Sequence, residues 1–177
     1  MRRLSLIPTS FAVGAALALA ACSTSSSGPI IPVRTHPMGE RVMVGHLIYT
    51  VFETEWMMQL GEGPGARIPQ SRFFLVRMSA ANSGGTEVTI PDFTLEDDSG
   101  NTYAEEKNGD QVPQWMGYLI PVKPAEAAQG NVVFDVPPRH YKIRVTDENG
   151  ERAALIDIPL SFGAETPDVV IPGEKKN

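Results

Sequence analysis

The sequence contains a single cysteine, Cys22, among its 177 residues. An internal disulfide is therefore excluded, and any folded domain must be stabilised by its apolar core. Histidines are also few, with three in the whole chain, and neither a Gly-x-Ser-x-Gly nor a His-Glu-x-x-His motif is present. These motifs position the nucleophile of many hydrolases and the zinc of many metalloproteases. We therefore expect a protein that is not an enzyme, although a Ser-His-Asp triad, which is recognised by geometry, stays open as an alternative.

Long hydrophobic runs are absent as well. The longest apolar run, residues 11–21, is shorter than the roughly 20 residues that a membrane-spanning helix needs. It follows the basic pair Arg2-Arg3 and ends in Leu19-Ala20-Ala21-Cys22, which resembles the lipobox of bacterial lipoproteins. This pattern predicts that residues 1–21 are a signal peptide and that the thiol of Cys22 carries lipid. Acyl chains then anchor the protein to the membrane without spanning it.

The predicted anchor implies a location in the cell envelope. Because Ser23 rather than Asp follows the cysteine, the periplasmic face of the outer membrane is favoured if the cell has two membranes. Removal of Arg2 and Arg3 leaves 13 basic against 21 acidic residues, a net charge of −8. This charge argues against a nucleic-acid partner, which needs a basic surface. It also predicts no attraction to anionic lipid headgroups, so that the acyl chains alone hold the chain at the membrane.

The remaining chain divides by composition into three parts. Residues 22–39 are rich in Ser, Pro and Gly, and we expect them to form a flexible tether. Residues 40–163 have the size of one domain. Residues 164–177 are predicted to form a C-terminal tail.

Alternation of apolar and polar residues indicates that this domain is built of strands. In the run from Phe74 to Ala81 the even positions are apolar, whereas Arg77 and Ser79 face the other way. Similar alternation marks residues 47–51, 132–136, 141–145 and 153–158. Clusters of Asn, Asp and Gly between these runs are typical of tight turns. The sequence therefore predicts an all-β, immunoglobulin-like sandwich of about seven or eight antiparallel strands.

Four features in order carry a family resemblance. The first is the alternating strand Leu47-x-Tyr49-x-Val51, and the second is the strand that ends in Asn82 before a Ser-Gly turn. The third is Phe93-x-Leu95, which leads through an Asp-x-x-Gly turn to Tyr103, and the fourth is the run of residues 130–137, Gly-Asn-Val-Val-Phe-Asp-Val-Pro. Together they resemble the telokin-like immunoglobulin-type domain of bacterial lipoproteins and secreted antigens, domain of unknown function family 4352. The resemblance covers roughly residues 40–160. It implies a sandwich fold and brings no catalytic residues.

Aromatic residues near loops are the candidate interaction residues. Trp56 flanks the loop of residues 61–66, and Trp115, Met116 and Tyr118 lie in a Pro- and Gly-rich segment. Tryptophan and tyrosine are common anchors of protein interfaces, and loops on a rigid scaffold often carry binding sites. We therefore expect a binding or structural module with an envelope protein as partner. The alternative is that both tryptophans close the ends of the core.

Two metal sites are weighed as alternatives, and no metal or cofactor is assigned. Thioether and imidazole groups suit Cu(I), and such groups occur close together in the N-terminal half of the domain: His36, Met38, Met43, His46, Met57 and Met58. Carboxylates suit Ca²⁺, and they crowd two turns: Asp97, Asp98 and Asn101 in one, and Asp147, Glu148 and Glu151 in the other. Met residues also fill irregular cores, and acidic residues also mark hairpin turns.

Overall fold

Two β-sheets packed face to face form an immunoglobulin-like sandwich, which confirms the predicted fold class. The structure is a computed structural model, and it describes residues 32–160, all of which belong to one compact unit. The predicted signal peptide (1–21), Cys22 and the predicted tail (164–177) lie outside the described residues. Within residues 32–160, no helix has the length and apolar character needed to cross a membrane.

The strands, in chain order, are β1 Arg34–Pro37, β2 Val42–Val44, β3 Leu47–Met57, β4 Phe73–Asn82, β5 Val88–Thr89, β6 Thr94–Asp97, β7 Thr102–Ala104, β8 Pro121–Val122, β9 Ala127–Asp135, β10 Tyr141–Thr146 and β11 Ala153–Ile158. A five-stranded sheet has the order β1-β11-β10-β6-β7, and a four-stranded sheet has the order β2-β3-β4-β9. Strands β5 and β8 form a small separate pair. The loop between β3 and β4 contains a short 3₁₀ turn, Gly63–Gly65.

The strand count and one pairing differ from the prediction. The described residues form eleven strands rather than seven or eight, because several strands of two to four residues are too short to show alternation. Strand β1 pairs with β11 in parallel, whereas all strands were expected to be antiparallel. β1 also lies within the predicted tether of residues 22–39, so residues 34–37 belong to the sandwich instead. Pro37, which lacks an amide hydrogen, is tolerated because β1 is an edge strand.

The main core lies between the two sheets and follows the predicted alternation. The even residues of β4 from Phe74 to Ala80 point into it, and Ile143 and Ile156 of the opposite sheet are fully buried against them. Tyr49 crosses this interior from β3. Its hydroxyl donates to the carbonyl of Thr146 at 2.7 Å, and its ring meets the edge of Phe93 at a centroid distance of 5.9 Å.

A second hydrogen-bonded tyrosine fixes the connection into β10. The hydroxyl of Tyr141 donates to the carbonyl of Pro137, four residues upstream, at 2.7 Å. This arrangement matches the tyrosine corner of immunoglobulin-type domains. The Tyr141 ring lies beside Phe74, which stacks on Trp56 at 4.2 Å. The aromatic cluster closes this end of the core without a disulfide.

A smaller apolar cluster covers the outer face of the four-stranded sheet. Phe73, Leu75 and Val133 point away from the main core and pack with Leu60 and Val112, which belong to loops. The run Phe73–Val76 is therefore buried on both faces, as continuous apolar strands generally are. This second cluster fixes loops onto the outside of the sandwich.

Candidate interaction surface

Residues 108–120, which we call the Trp115 loop, connect β7 to β8 and cover the free edge of β9. The amide of Asn131 donates to the carbonyl of Gln114 at 2.8 Å, and the amide of Met116 donates to the carbonyl of Asn131 at 3.1 Å. The Asn131 side chain donates to the carbonyl of Pro113 at 2.7 Å. These bonds add one parallel bridge to the sheet edge, so the central part of the loop is held like a strand.

Gly130 permits this close approach. A Cβ atom at position 130 would lie 2.5 Å from the carbonyl oxygen of Gln114 and 2.7 Å from the amide nitrogen of Met116. Both are backbone atoms, which cannot move aside as the end of a side chain can. Any other residue at position 130 would therefore push the loop away from β9.

Side chains anchor the loop at several points. Val112 enters the outer apolar cluster, and Met116 enters the main core, each with 8% of its surface exposed. Arg67 donates to the carbonyls of Asn108 and Asp110 at 2.8 and 3.0 Å, which fixes the beginning of the loop. The Trp115 loop is thus ordered by packing on both faces of the sheet.

Three non-glycine residues of the loop have left-handed backbone conformations. Gln111, Gln114 and Leu119 have φ angles of 63°, 47° and 50°. Such a conformation costs on the order of 1 kcal/mol or more for a residue with a Cβ atom. The anchoring contacts hold the loop in this shape against that cost.

The loop also exposes apolar surface. Trp115 is 37% exposed and Leu119 is 48% exposed. The Trp115 indole lies directly on Gly109, where a Cβ atom would collide with the ring. The Lys107 ammonium lies 5.3 Å from the ring centroid of Tyr118, within cation–π range. An aromatic surface is therefore presented on a fixed backbone.

The structure separates the four candidate interaction residues. Trp115 and Tyr118 lie on the loop surface. Trp56 stacks on Phe74 beside the main core, and Met116 is buried in it, so these two side chains serve packing. The sequence alternative, that both tryptophans close the core, therefore fits Trp56 and does not fit Trp115. Hydrophobicity alone did not distinguish the two, because each tryptophan follows a polar residue and precedes a methionine.

Two open grooves border the loop, and sequence reasoning did not identify either. One groove, of about 380 Å³, lies between Pro113-Gln114 and the outer face of the four-stranded sheet, where Glu53, Arg77 and Asn131 contribute polar groups. The other, of about 460 Å³, is bordered by Leu119. Residues of three strands and the loop meet at the first groove, so no local pattern in the sequence marks it.

The methionines of the copper alternative are dispersed. Met38 packs against the main core and Met57 against the outer cluster, whereas Met43 and Met58 are 66% and 70% exposed. Among the described residues, no three His, Cys, Asp or Glu side chains converge to hold a metal ion. Met38 and Met57 therefore lie against different apolar clusters.

The histidines each contact a carboxylate. His36 Nδ1 lies 3.1 Å from Glu40 Oε1, and His46, in the β2–β3 turn, pairs with Glu148 of the β10–β11 turn. The two nitrogens of His140 face Asp98 at 2.9 Å and Asp157 at 3.0 Å. The three imidazoles are thus separated and engaged with different carboxylates.

The acidic turns of the calcium alternative use their oxygens internally. Asp97 accepts hydrogen bonds from the Asn101 amide, the Tyr103 hydroxyl and the Arg139 guanidinium. These bonds, chiefly from the Asn101 side chain, hold the pKa of Asp97 well below its usual range. Asp147 accepts from the amides of Glu151 and Arg152. Both aspartates therefore stabilise hairpin turns.

Glu105, just after β7, is a buried carboxylate that sequence reasoning missed. It is 7% exposed and accepts a hydrogen bond from the Phe93 amide at 2.9 Å. Burial raises the pKa of Glu105 from its ordinary value of 4.5 to about 7. The position follows a short strand and precedes the loop, so no periodicity signals its burial.

The raised pKa predicts that Glu105 lowers stability as pH rises. Below about pH 4.5 the Glu105 carboxyl is protonated in both the folded and the unfolded protein. Above about pH 4.5 it ionises first in the unfolded chain, so the free energy of unfolding falls as pH rises, and this loss is complete above about pH 7. Replacement Glu105→Gln should therefore stabilise the protein at pH 8 by roughly 2–3 kcal/mol, since one pKa unit is about 1.4 kcal/mol. Urea unfolding at pH 4 and pH 8 measures the effect. Glu55→Gln, at an exposed carboxylate, is the control, and an equal gain at both pH values would contradict the account.

The close approach at Gly130 predicts a local effect of substitution. In a Trp56→Phe background, Gly130→Ala should shift Trp115 fluorescence and make residues 108–120 susceptible to protease, because the new Cβ displaces the loop. Gly85→Ala is the matched control, since a Cβ there meets nothing within 4 Å. Identical emission and protease resistance in the two variants would show that the contact does not hold the loop.

Solved structures share this fold at low sequence identity. The yjhA protein of Bacillus subtilis is 14% identical, with a TM-score of 0.55, and the match covers 70% of this chain and 99% of that one. A functionally unknown protein of Listeria monocytogenes is 10% identical, with a TM-score of 0.52 and coverage of 69% and 82%. The secreted protein MPT63 of Mycobacterium tuberculosis is 15% identical, with a TM-score of 0.50 and coverage of 72% and 98%.

No curated protein matches the chain. A family model does match, over residues 36–152, and its description is Domain of unknown function (DUF4352). The matched residues extend from β1 to the turn before β11 and include the four strand and turn features that resembled this family. The resemblance is therefore confirmed, and the chain belongs to the family of unknown function DUF4352.

Proposed function

We propose that this protein is a lipid-anchored, non-catalytic module of the cell envelope that binds a protein partner through the Trp115 loop. One observation carries the proposal. The same loop that holds Gln111, Gln114 and Leu119 in left-handed conformations also exposes Trp115. Backbone strain of this kind concentrates at functional sites, and tryptophan is enriched among the residues that dominate interface energies.

The anchoring of the loop favours binding. A partner that meets a loop already fixed by Gly130, Met116 and Arg67 does not have to order it. The entropy cost of association is then smaller than for a mobile loop. Trp115 itself rests on Gly109, so its indole is also held in place before any partner arrives.

The surroundings indicate the chemistry of the partner. Trp115 and Leu119 offer apolar contact, and the groove beside Gln114 offers carboxylate, guanidinium and amide groups of Glu53, Arg77 and Asn131. A protein segment with one apolar side chain and flanking hydrogen-bonding groups matches this combination. Interfaces generally have this anatomy, with an apolar centre and a polar rim.

Two observations support a role without catalysis. Each of the three imidazoles contacts a carboxylate, and within residues 32–160 none receives a hydrogen bond from a serine hydroxyl. The Ser83 hydroxyl, which lies near His46, instead donates to the His46 backbone carbonyl at 2.8 Å. The nucleophile–base contact of a serine hydrolase is therefore not formed by these residues.

The N-terminal sequence supports the envelope location. The Leu19-Ala20-Ala21-Cys22 segment follows a short apolar run, as in lipoprotein precursors. A protein of the same fold, MPT63, is described as secreted. Both observations favour export of the domain and its attachment through Cys22.

Lipidation can be tested by fractionation. The full-length chain, expressed in a bacterium with the lipoprotein pathway, should be found in the membrane fraction and incorporate labelled palmitate. Cys22→Ser should abolish the label and move the chain to the soluble fraction, because no other cysteine exists. Ser23→Ala, at the neighbouring residue, is the control. Unchanged membrane association of the Cys22→Ser chain would contradict the proposed anchor.

Partner binding can be tested by crosslinking capture from native membranes. Trp115→Ala should reduce the captured partner at least tenfold, as loss of a dominant interface residue generally does. Gly109→Ala should act similarly, because its Cβ displaces the indole without removing it. Phe52→Ala is the matched control, since Phe52 is an exposed aromatic on β3. Equal capture by all variants, each shown to be folded, would refute the proposed surface.

A further inference from the structure

A third groove lies where the edges of the two sheets meet. We call it the Arg34 groove; it has a volume of about 420 Å³ and is lined by Pro32, Arg34, His36, Met43, Val44, Gly45, Arg152, Ala153 and Ala154. β1 forms one side and β2 the other. No residue of this lining is acidic, although acidic residues exceed basic ones in the chain as a whole.

Two arginines face this groove from adjacent positions of one sheet. Arg34 pairs with Ala154 in the parallel β1–β11 register, and Arg152 lies two residues before Ala154. Strand spacing and rise place their Cα atoms roughly 8 Å apart. The Asp147 carboxylate accepts a hydrogen bond from the Arg152 amide at 3.2 Å, which fixes the backbone there. The backbone positions that carry the two guanidinium groups are therefore neighbours, and both side chains line the groove.

Neither arginine has a carboxylate partner among residues 32–160. Four other arginines of the domain have such a partner, namely Arg67, Arg77, Arg139 and Arg144. The carboxylates near the groove have other contacts. Glu40 contacts His36, and Glu148 contacts His46. The groove thus contains two arginines that form no ion pair among residues 32–160, and the Glu148 carboxylate, which contacts His46, lies beside Gly45 of its lining.

Exposed apolar side chains adjoin these cations. Met43, which lines the groove, is 66% exposed, and Val33, beside Arg34, is 41% exposed. Adjacent cationic and apolar groups match the interface of a phospholipid bilayer, where phosphate lies next to acyl chains. A soluble anion would match the arginines but not the apolar side chains.

The proposed anchor brings the same edge close to the membrane. Pro32 lies ten positions after Cys22, and a chain of this length spans at most about 35 Å when fully extended. Lipid at Cys22 would therefore keep the Arg34 groove within reach of the bilayer surface.

We propose that the Arg34 groove binds the phosphate of an anionic phospholipid in the membrane that holds the protein. The proposal rests on the proposed lipid anchor, which supplies proximity. It revises the expectation that a net charge of −8 gives no attraction to anionic headgroups. Net charge describes the whole chain, whereas headgroup binding depends on the charges within about a Debye length of the surface.

Chemical tethering tests the proposal without cellular acylation. The mature chain, residues 22–177, has Cys22 as its only thiol and can be coupled to a maleimide lipid in vesicles. Hydrogen exchange is then compared between phosphatidylcholine vesicles and vesicles that also contain phosphatidylglycerol. We expect exchange in residues 32–44 and 151–154 to slow by roughly fivefold or more only with phosphatidylglycerol, and high salt to reverse the effect.

Two double variants show whether the arginines of the Arg34 groove cause the protection from hydrogen exchange. The double variant Arg34→Gln/Arg152→Gln should lose the protection. Arg72→Gln/Lys123→Gln, which removes the same charge from residues outside the groove, should retain it. Equal exchange on both vesicles, or equal loss in both double variants, would overturn the proposal. Equal protection by soluble glycerol 3-phosphate would also overturn it, in favour of a soluble anion. Because the coupling is chemical, failure here leaves the Cys22 acylation test unaffected.

Discussion

Apolar contact between the two sheets is the constraint on which the rest of this structure depends. The chain has one cysteine, Cys22, so no disulfide crosses the sandwich. The interior is closed instead by alternating strand residues and by two buried tyrosines. Tyr49 joins one sheet to the other through the carbonyl of Thr146, and Tyr141 fixes the corner at Pro137. Because stability resides in this interior, a loop outside it can hold strained conformations.

The Trp115 loop makes use of that support. β9 would otherwise present an open edge, which is prone to pair with other chains. The loop covers the edge by approaching Gly130, and it packs Met116 inward and Val112 outward. Trp115 lies between these two anchors and therefore remains at the surface. The contacts that cover the β9 edge therefore also hold Trp115, the candidate binding residue, at the surface.

Residue patterns predicted those parts of the fold that depend on local periodicity. The alternation of Phe74–Ala81 and of residues 141–145 identified the strands and the faces that are buried. The parallel pairing of β1, the outer cluster around Leu75 and the course of residues 112–117 were not predicted, because each depends on contacts between distant segments. For the same reason the sequence identified both tryptophans equally as candidate interaction residues. Only the position of Phe74 under Trp56, and of Gly109 under Trp115, distinguishes their roles.

We propose the Trp115 loop as the surface that contacts a partner in the envelope. Site-specific photocrosslinking tests it most directly. A photoreactive amino acid replaces Trp115 in one chain and Phe52 in another, and both are irradiated in native membranes. We expect a discrete adduct from position 115 that position 52 does not give. An adduct from position 52 alone, or none from position 115 in a folded and membrane-bound chain, would contradict it.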